Sequence, residues 1–268
     1  NIKNLFMNDK DGLYYSKLRA QTIDAIILTT FDIINSYAFP IANPTKADKL
    51  SILAVGGYGR GNGAPGSDIE TLLYILWDLK LKVGYAIRSL EDNISKAKLD
   101  NTICTALLDA RLISGNQELW LNFNLIYKSD ILNKLKDKFF YSKIKERDAR
   151  HKKMGDSRYL LEPNIKEGKG GLRDLNTIRW IISFLYQVNN SKDYVSIGLM
   201  TNKEAAFYNK AENYFMTIRS MMHYQGSNDS DRLTFDLQLS IAEKLGYKLH
   251  AGSTPIERLM KHYYLFAK

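Results

Sequence analysis

Hydrophobic positions recur at three- and four-residue steps over much of the chain, which is the spacing of one face of a helix. This pattern predicts a first helix over residues 13–34, which ends before Pro40 and Pro44 because proline disfavours helix in the residue that precedes it. The same periodicity predicts further helices over residues 70–83, 118–150, 172–188, 202–224 and 256–267.

Two short apolar runs predict strands instead. Residues 50–55 contain β-branched members and stop at a cluster of glycines, and residues 106–113 form a second run before Ser114 and Gly115. The glycine cluster predicts a loop whose backbone approaches another group closely, since glycine has no side chain to keep that group away. We therefore expect an α+β domain over residues 1–115 and a mostly helical domain over residues 116–268.

Composition narrows the class of protein. At 268 residues, 45% apolar and 25% charged, the chain is typical of globular proteins, and its single cysteine, Cys104, excludes an internal disulfide. No apolar run approaches the roughly 20 residues that span a bilayer, and the first residues lack the apolar core of a signal peptide. These features predict a cytoplasmic protein with no membrane partner.

The net charge of +9 favours an anionic partner such as a nucleotide. The basic residues are spread along the chain without an arginine-rich arm, so nucleic-acid binding is permitted but not indicated.

The first candidate for chemistry is a glycine turn followed by an acid. The turn is Val55-Gly-Gly-Tyr-Gly-Arg60, and Ser67-Asp-Ile69 follows it. This order suits nucleotidyl transfer, because backbone at Gly56 and Gly57 can approach a triphosphate while Arg60 neutralises its charge. Ser67 is a further candidate nucleotide contact, and Asp68 can hold Mg²⁺ through carboxylate oxygens. The alternative is a surface loop with a solvated aspartate. The Gly-Lys-Ser/Thr ending of a P-loop is absent.

Several longer motifs resemble one family, in its own order along the chain. They are Ala54-Val-Gly-Gly-Tyr-Gly-Arg-Gly61, Pro65-Gly-Ser-Asp-Ile69, Ala106-Leu-Leu-Asp-Ala-Arg111, Glu146-Arg-Asp-Ala-Arg150, Leu161-Glu-Pro-Asn-Ile-Lys-Glu-Gly-Lys-Gly-Gly-Leu-Arg-Asp174 and Asp231-Arg-Leu-Thr-Phe-Asp236. The chain resembles the nucleotidyltransferase and helical domains of the bacterial protein-PII uridylyltransferase/uridylyl-removing enzymes.

This resemblance implies a polymerase-β-like nucleotidyltransferase fold with an N-terminal helix and a helical second domain. It implies Mg²⁺-dependent transfer of UMP from UTP to a tyrosine of the PII protein, in nitrogen regulation. Family members continue into an HD-type phosphohydrolase domain and glutamine-sensing ACT domains. The four histidines here include no adjacent His-Asp pair, so we expect the uridylyl-removing activity and the glutamine sensor to be absent.

The sequence departs from the family pattern after Asp68. The family has a second aspartate two residues on, then a strand and a loop, and only then a helix, whereas here the helical pattern starts at Glu70. Either Glu70 supplies the second metal-binding carboxylate, or a segment is missing between Ile69 and Glu70. We favour the second reading, because carboxylates two residues apart on a helix do not share a face. Glu70 is then an acid in the first turn of the helix.

Asp109 is the candidate for a third carboxylate. It lies in an apolar run, where a charge is costly unless it is paired or bound to metal. The alternative is an ion pair with Arg111 or an edge position that faces water. The resemblance favours Asp109 as a metal ligand and as the general base for the tyrosine hydroxyl.

A second loop, residues 162–174, combines three basic side chains with glycines at the start of a predicted helix. Its amides, with Lys166, Lys169 and Arg173, can hold a triphosphate. The alternative is a rigid hinge in which Glu162 and Asp174 pair with those bases. The resemblance favours nucleotide contacts from Lys166 and Arg173.

Overall fold

The computed structural model describes residues 2–38, 50–65, 69–70, 83–84, 87–226, 230–250 and 252–268. Most of these residues are helical. The helices are α1 (Ile2–Asp9), α2 (Gly12–Ile33), α3 (Gly56–Gly59), α4 (Leu90–Leu99), α5 (Asn101–Leu108), α6 (Gln117–Tyr127), α7 (Lys136–Lys153), α8 (Leu172–Tyr186), α9 (Ser191–Ser196), α10 (Asn202–Tyr224), α11 (Phe235–Lys244) and α12 (Pro255–Phe266). The strands are β1 (Ser51–Ala54), β2 (Ile69–Glu70), β3 (Val83–Gly84) and β4 (Arg111–Gly115).

The strands of the described residues form two small sheets. β1 pairs antiparallel with β4, and β2 pairs parallel with β3. Helices with small sheets agree with the expected α+β class, while the polymerase-β-like fold stays a prediction. No helix within the described ranges is long and apolar enough to cross a membrane.

Four predicted helices are confirmed as α2, α8, α10 and α12. The helical region predicted over 118–150 is confirmed as α6 and α7, which are separated by a π-helical turn, Lys128–Leu132. Ile131 is fully buried and Leu132 nearly so. Apolar periodicity therefore continues through the turn, which is why the break is invisible in the pattern.

Most of the helix predicted over 70–83 lies outside the described residues. Its first residue, Glu70, belongs to β2, so the prediction that Glu70 is a first-turn helix acid is wrong. Parallel pairing to β3 holds the backbone extended at that point.

The strand predicted over 106–113 is also wrong in part. Its first residues belong to α5, and β4 begins only at Arg111. The Asp100 carboxylate caps α5 by accepting from the backbone N–H groups of Thr102 and Ile103, and Cys104 and Leu107 share its buried face. Asp109 consequently lies at the C-terminal end of α5 rather than within a strand.

The predicted strand over 50–55 is confirmed as β1, and it supports a small core. Ile52 and Ala54 point inward and pack with Ile23 and Ile27 of α2 and with Tyr58. Side chains alternate along a strand, so the two inward positions fix the direction in which the chain enters the glycine turn.

The described chain divides into two compact units. One contains residues 1–15, 64–66 and 137–268, and the other contains residues 16–63 and 67–136. We call them the helical unit and the glycine-turn unit. The domain boundary expected near Gly115 stays a prediction.

The helical unit includes the beginning of the chain. Phe6 of α1 is fully buried and packs against the rings of Tyr15 and Tyr224. The Gly12 N–H donates to the Thr217 hydroxyl at 3.0 Å, and a Cβ at Gly12 would lie 2.3 Å from the Thr217 nitrogen. Only glycine allows α2 to start this close to α10.

Candidate functional site

The glycines after β1 form one helical turn, α3, where a loop was expected. Gly56 has a φ of +56°, which favours glycine. A Cβ at Gly59 would lie 2.2 Å from the Asp109 carbonyl oxygen and 2.9 Å from that of Ala54. The turn is therefore held directly against the end of α5 by backbone packing that a side chain would prevent.

Arg60 and Asp109 meet at this contact. The Arg60 guanidinium donates a hydrogen bond to the Asp109 carboxylate, and the two side chains are 11% and 10% exposed. Another nitrogen of Arg60 would lie 3.8 Å from a Cβ at Gly57. The structure thus brings together four of the predicted residues: Gly56, Gly57, Arg60 and Asp109. Ser67 and Asp68 lie outside the described residues.

Arg111 has a different partner from the one offered by the sequence. It forms two hydrogen bonds with the Asp24 carboxylate, at 2.7 and 2.9 Å, and donates a third to the Gly59 carbonyl at 3.0 Å. Its guanidinium lies 5.2 Å from the centroid of the Tyr58 ring, and the Tyr58 hydroxyl donates to Asp24. This network, missed by sequence reasoning, ties α2, the glycine turn and β4 together.

The Tyr58 hydroxyl remains a hydrogen-bond donor at ordinary pH. Burial, and then the bond to Asp24, raise the pKa of the hydroxyl well above its usual value. Tyr58 is 5% exposed, so its role in the described structure is packing and orientation of the turn.

We expect Tyr58→Phe to lower the free energy of unfolding by about 1–2 kcal/mol, because the partly buried Asp24 carboxylate loses a hydrogen bond. Urea denaturation measures this loss. The matched control is Tyr141→Phe, since Tyr141 is 70% exposed and its hydroxyl can bond water after unfolding and before it. Equal losses in the two variants would contradict the inferred network.

The 162–174 loop is held by its own backbone. The Asn164 side chain accepts from the N–H groups of Lys166 and Glu167, and the Leu172 N–H donates to the Ile165 carbonyl. A Cβ at Gly168 would lie 2.4 Å from the Asn164 carbonyl oxygen. These hydrogen bonds hold the loop in one conformation, and its glycines allow the backbone to pack closely.

The rigid-hinge pairing proposed from the sequence has the wrong partners. Asp174 accepts from Arg150 at 2.6 Å and lies 2.8 Å from the His151 ring, while Glu162 pairs with Arg232. Lys169 pairs instead with Asp156. Helix α7 was recognised by its Glu146-Arg-Asp-Ala-Arg150 motif, but the distance along the chain concealed its contact with the loop.

The two predicted nucleotide contacts of this loop differ in whether the side chain already has a partner among the described residues. Arg173 donates to both oxygens of Glu167 and lies 5.6 Å from the centroid of the Trp180 ring. The Lys166 side chain makes no hydrogen bond or ion pair with a described residue. Burial, and then the charges of Arg219 and Arg173, lower the pKa of Lys166. An anion beside Lys166 would offset that unfavourable charge.

Magnesium needs several oxygen ligands, and the described residues offer few. They contain no group of three acidic, histidine or cysteine side chains placed to hold a metal ion. Of the predicted ligands, only Asp109 has a described side chain, and it pairs with Arg60. One carboxylate held by an arginine does not make a magnesium site, so magnesium remains a proposal that depends on Asp68.

Comparison with known proteins agrees with the resemblance drawn from the motifs. A family model described as GlnD PII-uridylyltransferase matches residues 138–268. A bifunctional uridylyltransferase/uridylyl-removing enzyme of Azospirillum brasilense is 42% identical over an alignment of 263 residues, which covers 91% of this chain and 28% of that protein. The resemblance drawn from the motifs is therefore confirmed: residues 138–268 match this family's model, and the chain is similar to the Azospirillum enzyme over most of its own length. The chain spans under a third of the length of that relative.

Proposed function

We propose that the chain transfers UMP from UTP to a tyrosine of a PII signalling protein, with Mg²⁺. The observation that carries this proposal is the meeting of Arg60 and Asp109 at a turn whose backbone accepts only glycine. A relative with uridylyltransferase in its name supports the choice of group transferred.

Each residue of this meeting point has a role in the proposed reaction. The tyrosine oxygen attacks the α-phosphorus of UTP, the bond to the β-phosphate oxygen breaks, and pyrophosphate leaves. Asp109 accepts the tyrosine proton, and Arg60 turns from Asp109 towards the phosphates. The first amides of the turn, at Gly56 and Gly57, have no partner within the turn and can donate to a phosphate oxygen.

Lys166 and Arg173 of the helical unit are also proposed as nucleotide contacts. The case is stronger for Lys166 than for Arg173. Burial and the neighbouring arginine charges lower the pKa of Lys166, and a bound anion would offset both effects. Arg173 already pairs with Glu167.

The experiment supplies the chain with Mg²⁺, PII and UTP labelled at the α-phosphate. We expect label on a PII tyrosine, and none when the label is at the γ-phosphate, because pyrophosphate is the leaving group. Labelled ATP in equal amount is the matched competitor. Preferential adenylylation would overturn the uridylyl assignment, and absence of any transfer would overturn the enzymatic one.

The second candidate is a domain that binds the nucleotide or PII without turnover. The observation that favours it is the missing second aspartate after Asp68. It predicts UTP binding with no transfer at any Mg²⁺ concentration. Because Glu70 lies in extended backbone, Glu70→Gln is informative: a loss of transfer as large as that from Asp109→Asn would assign the second carboxylate to Glu70.

A further inference from the structure

The Arg173 side chain, a proposed nucleotide contact, already has an anionic partner. Its Nε lies 3.2 and 3.3 Å from the two carboxylate oxygens of Glu167, and its Nη2 donates to one of them at 2.8 Å. The two side chains are 28% and 25% exposed, so water and salt screen the pair only in part. A phosphate and this carboxylate would therefore compete for the same guanidinium nitrogens.

A second arginine lies close to the same carboxylate. Arg150, in α7, has a side chain that is 10% exposed, and its Nε lies 3.7 Å from Oε2 of Glu167. That nitrogen is buried and has no hydrogen-bond partner within the described ranges. A buried donor without a partner costs free energy, which a hydrogen bond would recover. A shift of the carboxylate by about 0.8 Å would form one, since a typical N–H···O bond is about 2.9 Å long.

The backbone of Glu167 is fixed, so its side chain can change partners while the loop stays in place. The Glu167 N–H donates to the Asn164 side chain at 2.6 Å, and its carbonyl oxygen accepts from Nη1 of Arg150 at 3.1 Å. Arg150 is itself anchored, because its Nη2 donates to Asp174 at 2.6 Å. The receiving arginine is thus already in position, and only the carboxylate has to move.

We propose that Glu167 is a two-position carboxylate that controls access to Arg173. In the described structure it pairs with Arg173 and keeps a phosphate away. When the nucleotide binds, Glu167 turns to the Nε of Arg150, and Arg173 donates to a phosphate oxygen instead. Both arginines keep an anionic partner, so the exchange leaves no charge of the cluster uncompensated. Glu167 and Arg150 act as positioning residues, and the exchange rests on the nucleotide contact proposed for Arg173.

Isothermal titration of the chain with UTP and Mg²⁺ tests the exchange. Glu167→Gln keeps the size of the side chain but removes the charge that competes with phosphate, so we expect UTP to bind about fivefold tighter. A Glu167 that only braces Arg173 predicts the opposite sign, which is weaker binding. Glu162→Gln is the matched control, because it removes the same charge from the same loop but takes it from Arg232, which is not a proposed contact. We expect this control to change the affinity by less than about twofold.

A double variant tests the role of Arg150. Arg150→Lys keeps the positive charge and can still pair with Asp174, but it lacks the Nε that would receive Glu167. We expect it to weaken UTP binding by about fivefold, because the carboxylate then stays on Arg173. In the Glu167→Gln background the same substitution is expected to change the affinity by less than about twofold, since no carboxylate has to be received. Equal losses in the two backgrounds would show that Arg150 only supports the loop, and would overturn its role in the exchange.

Melting temperatures of all variants are measured alongside, so that lost folding is not read as lost binding. If UTP binds a folded Glu167→Gln chain no more tightly than the unchanged chain, or if Glu162→Gln tightens binding equally, the exchange is overturned and the proposed function stands. If neither the unchanged chain nor any variant binds UTP, the nucleotide contacts of the proposed function are overturned, and the exchange with them.

Discussion

An Asp109→Asn chain is expected to transfer UMP to PII about 10²–10⁴-fold more slowly than the unchanged chain. Asparagine keeps the size of the side chain but cannot accept the proton of the attacking hydroxyl. Initial rates at saturating UTP and PII measure the loss in kcat.

Asp130→Asn is the matched control, since Asp130 belongs to the same unit and pairs with Lys98 and Lys134 at the surface. We expect its rate to change by less than about twofold, because exposed ion pairs contribute little. Thermal unfolding of both variants separates lost chemistry from lost folding, since Arg60 loses a charged partner in Asp109→Asn. A fully folded Asp109→Asn chain with an unchanged rate would remove Asp109 from the proposed mechanism.

Asp231→Asn is expected to lower the free energy of unfolding by about 3 kcal/mol. Arg219 donates to Asp231 at 2.7 Å and the His223 ring lies 3.1 Å away, with both of these basic side chains at most 9% exposed. Removing the carboxylate charge takes the anionic partner from the buried Arg219 guanidinium. Urea denaturation measures the loss.

Asp236→Asn is the control for this stability effect. Asp236 is an exposed acid in the first turn of α11, where its loss is expected to cost less than about 1 kcal/mol. If the two variants lose equal stability, the buried cluster contributes no more than an ordinary helix acid.

The cluster of Asp231, Arg219 and His223 also makes the free energy of unfolding depend on pH in the acid range. Burial alone would raise the pKa of Asp231, but the hydrogen bond from His223 and the charge of Arg219 outweigh burial and hold the pKa well below its ordinary value of 3.8. A carboxyl group with a depressed folded-state pKa stabilises the fold fully above its unfolded pKa and loses that effect as the pH falls towards the folded one. The stability difference between the unchanged chain and Asp231→Asn is therefore expected to be smaller at about pH 3 than at about pH 5.

The sequence predicted those elements whose hydrophobic pattern lies entirely within their own residues. Residues 50–55 and 202–224 carry their own periodicity, and they form β1 and α10 as expected. The run at 106–113 was misread because a short apolar stretch is compatible with a helix or a strand, and the cap that decides, Asp100, lies outside the run. Local pattern alone could not resolve it.

The candidate site was predictable where its residues share one motif, or where a charged residue stands out within an apolar run. Gly56, Gly57 and Arg60 stand together in the sequence, and Asp109 was found by its unusual charge within an apolar run. Asp24 was missed because one aspartate on a long helix carries no signal of its own. Its partner Arg111 lies 87 residues away, and only folding brings the two together.

The order in which the chain builds its two units has a kinetic consequence. The Gly12–Thr217 contact joins residues 205 positions apart, and the chain between them builds the whole glycine-turn unit. During synthesis on a ribosome, the apolar surface of α1, including Phe6, therefore stays exposed until α10 has been synthesised. Contacts of such sequence separation slow folding and favour populated intermediates. Refolding is therefore expected to be slower than for a helical domain with only local contacts.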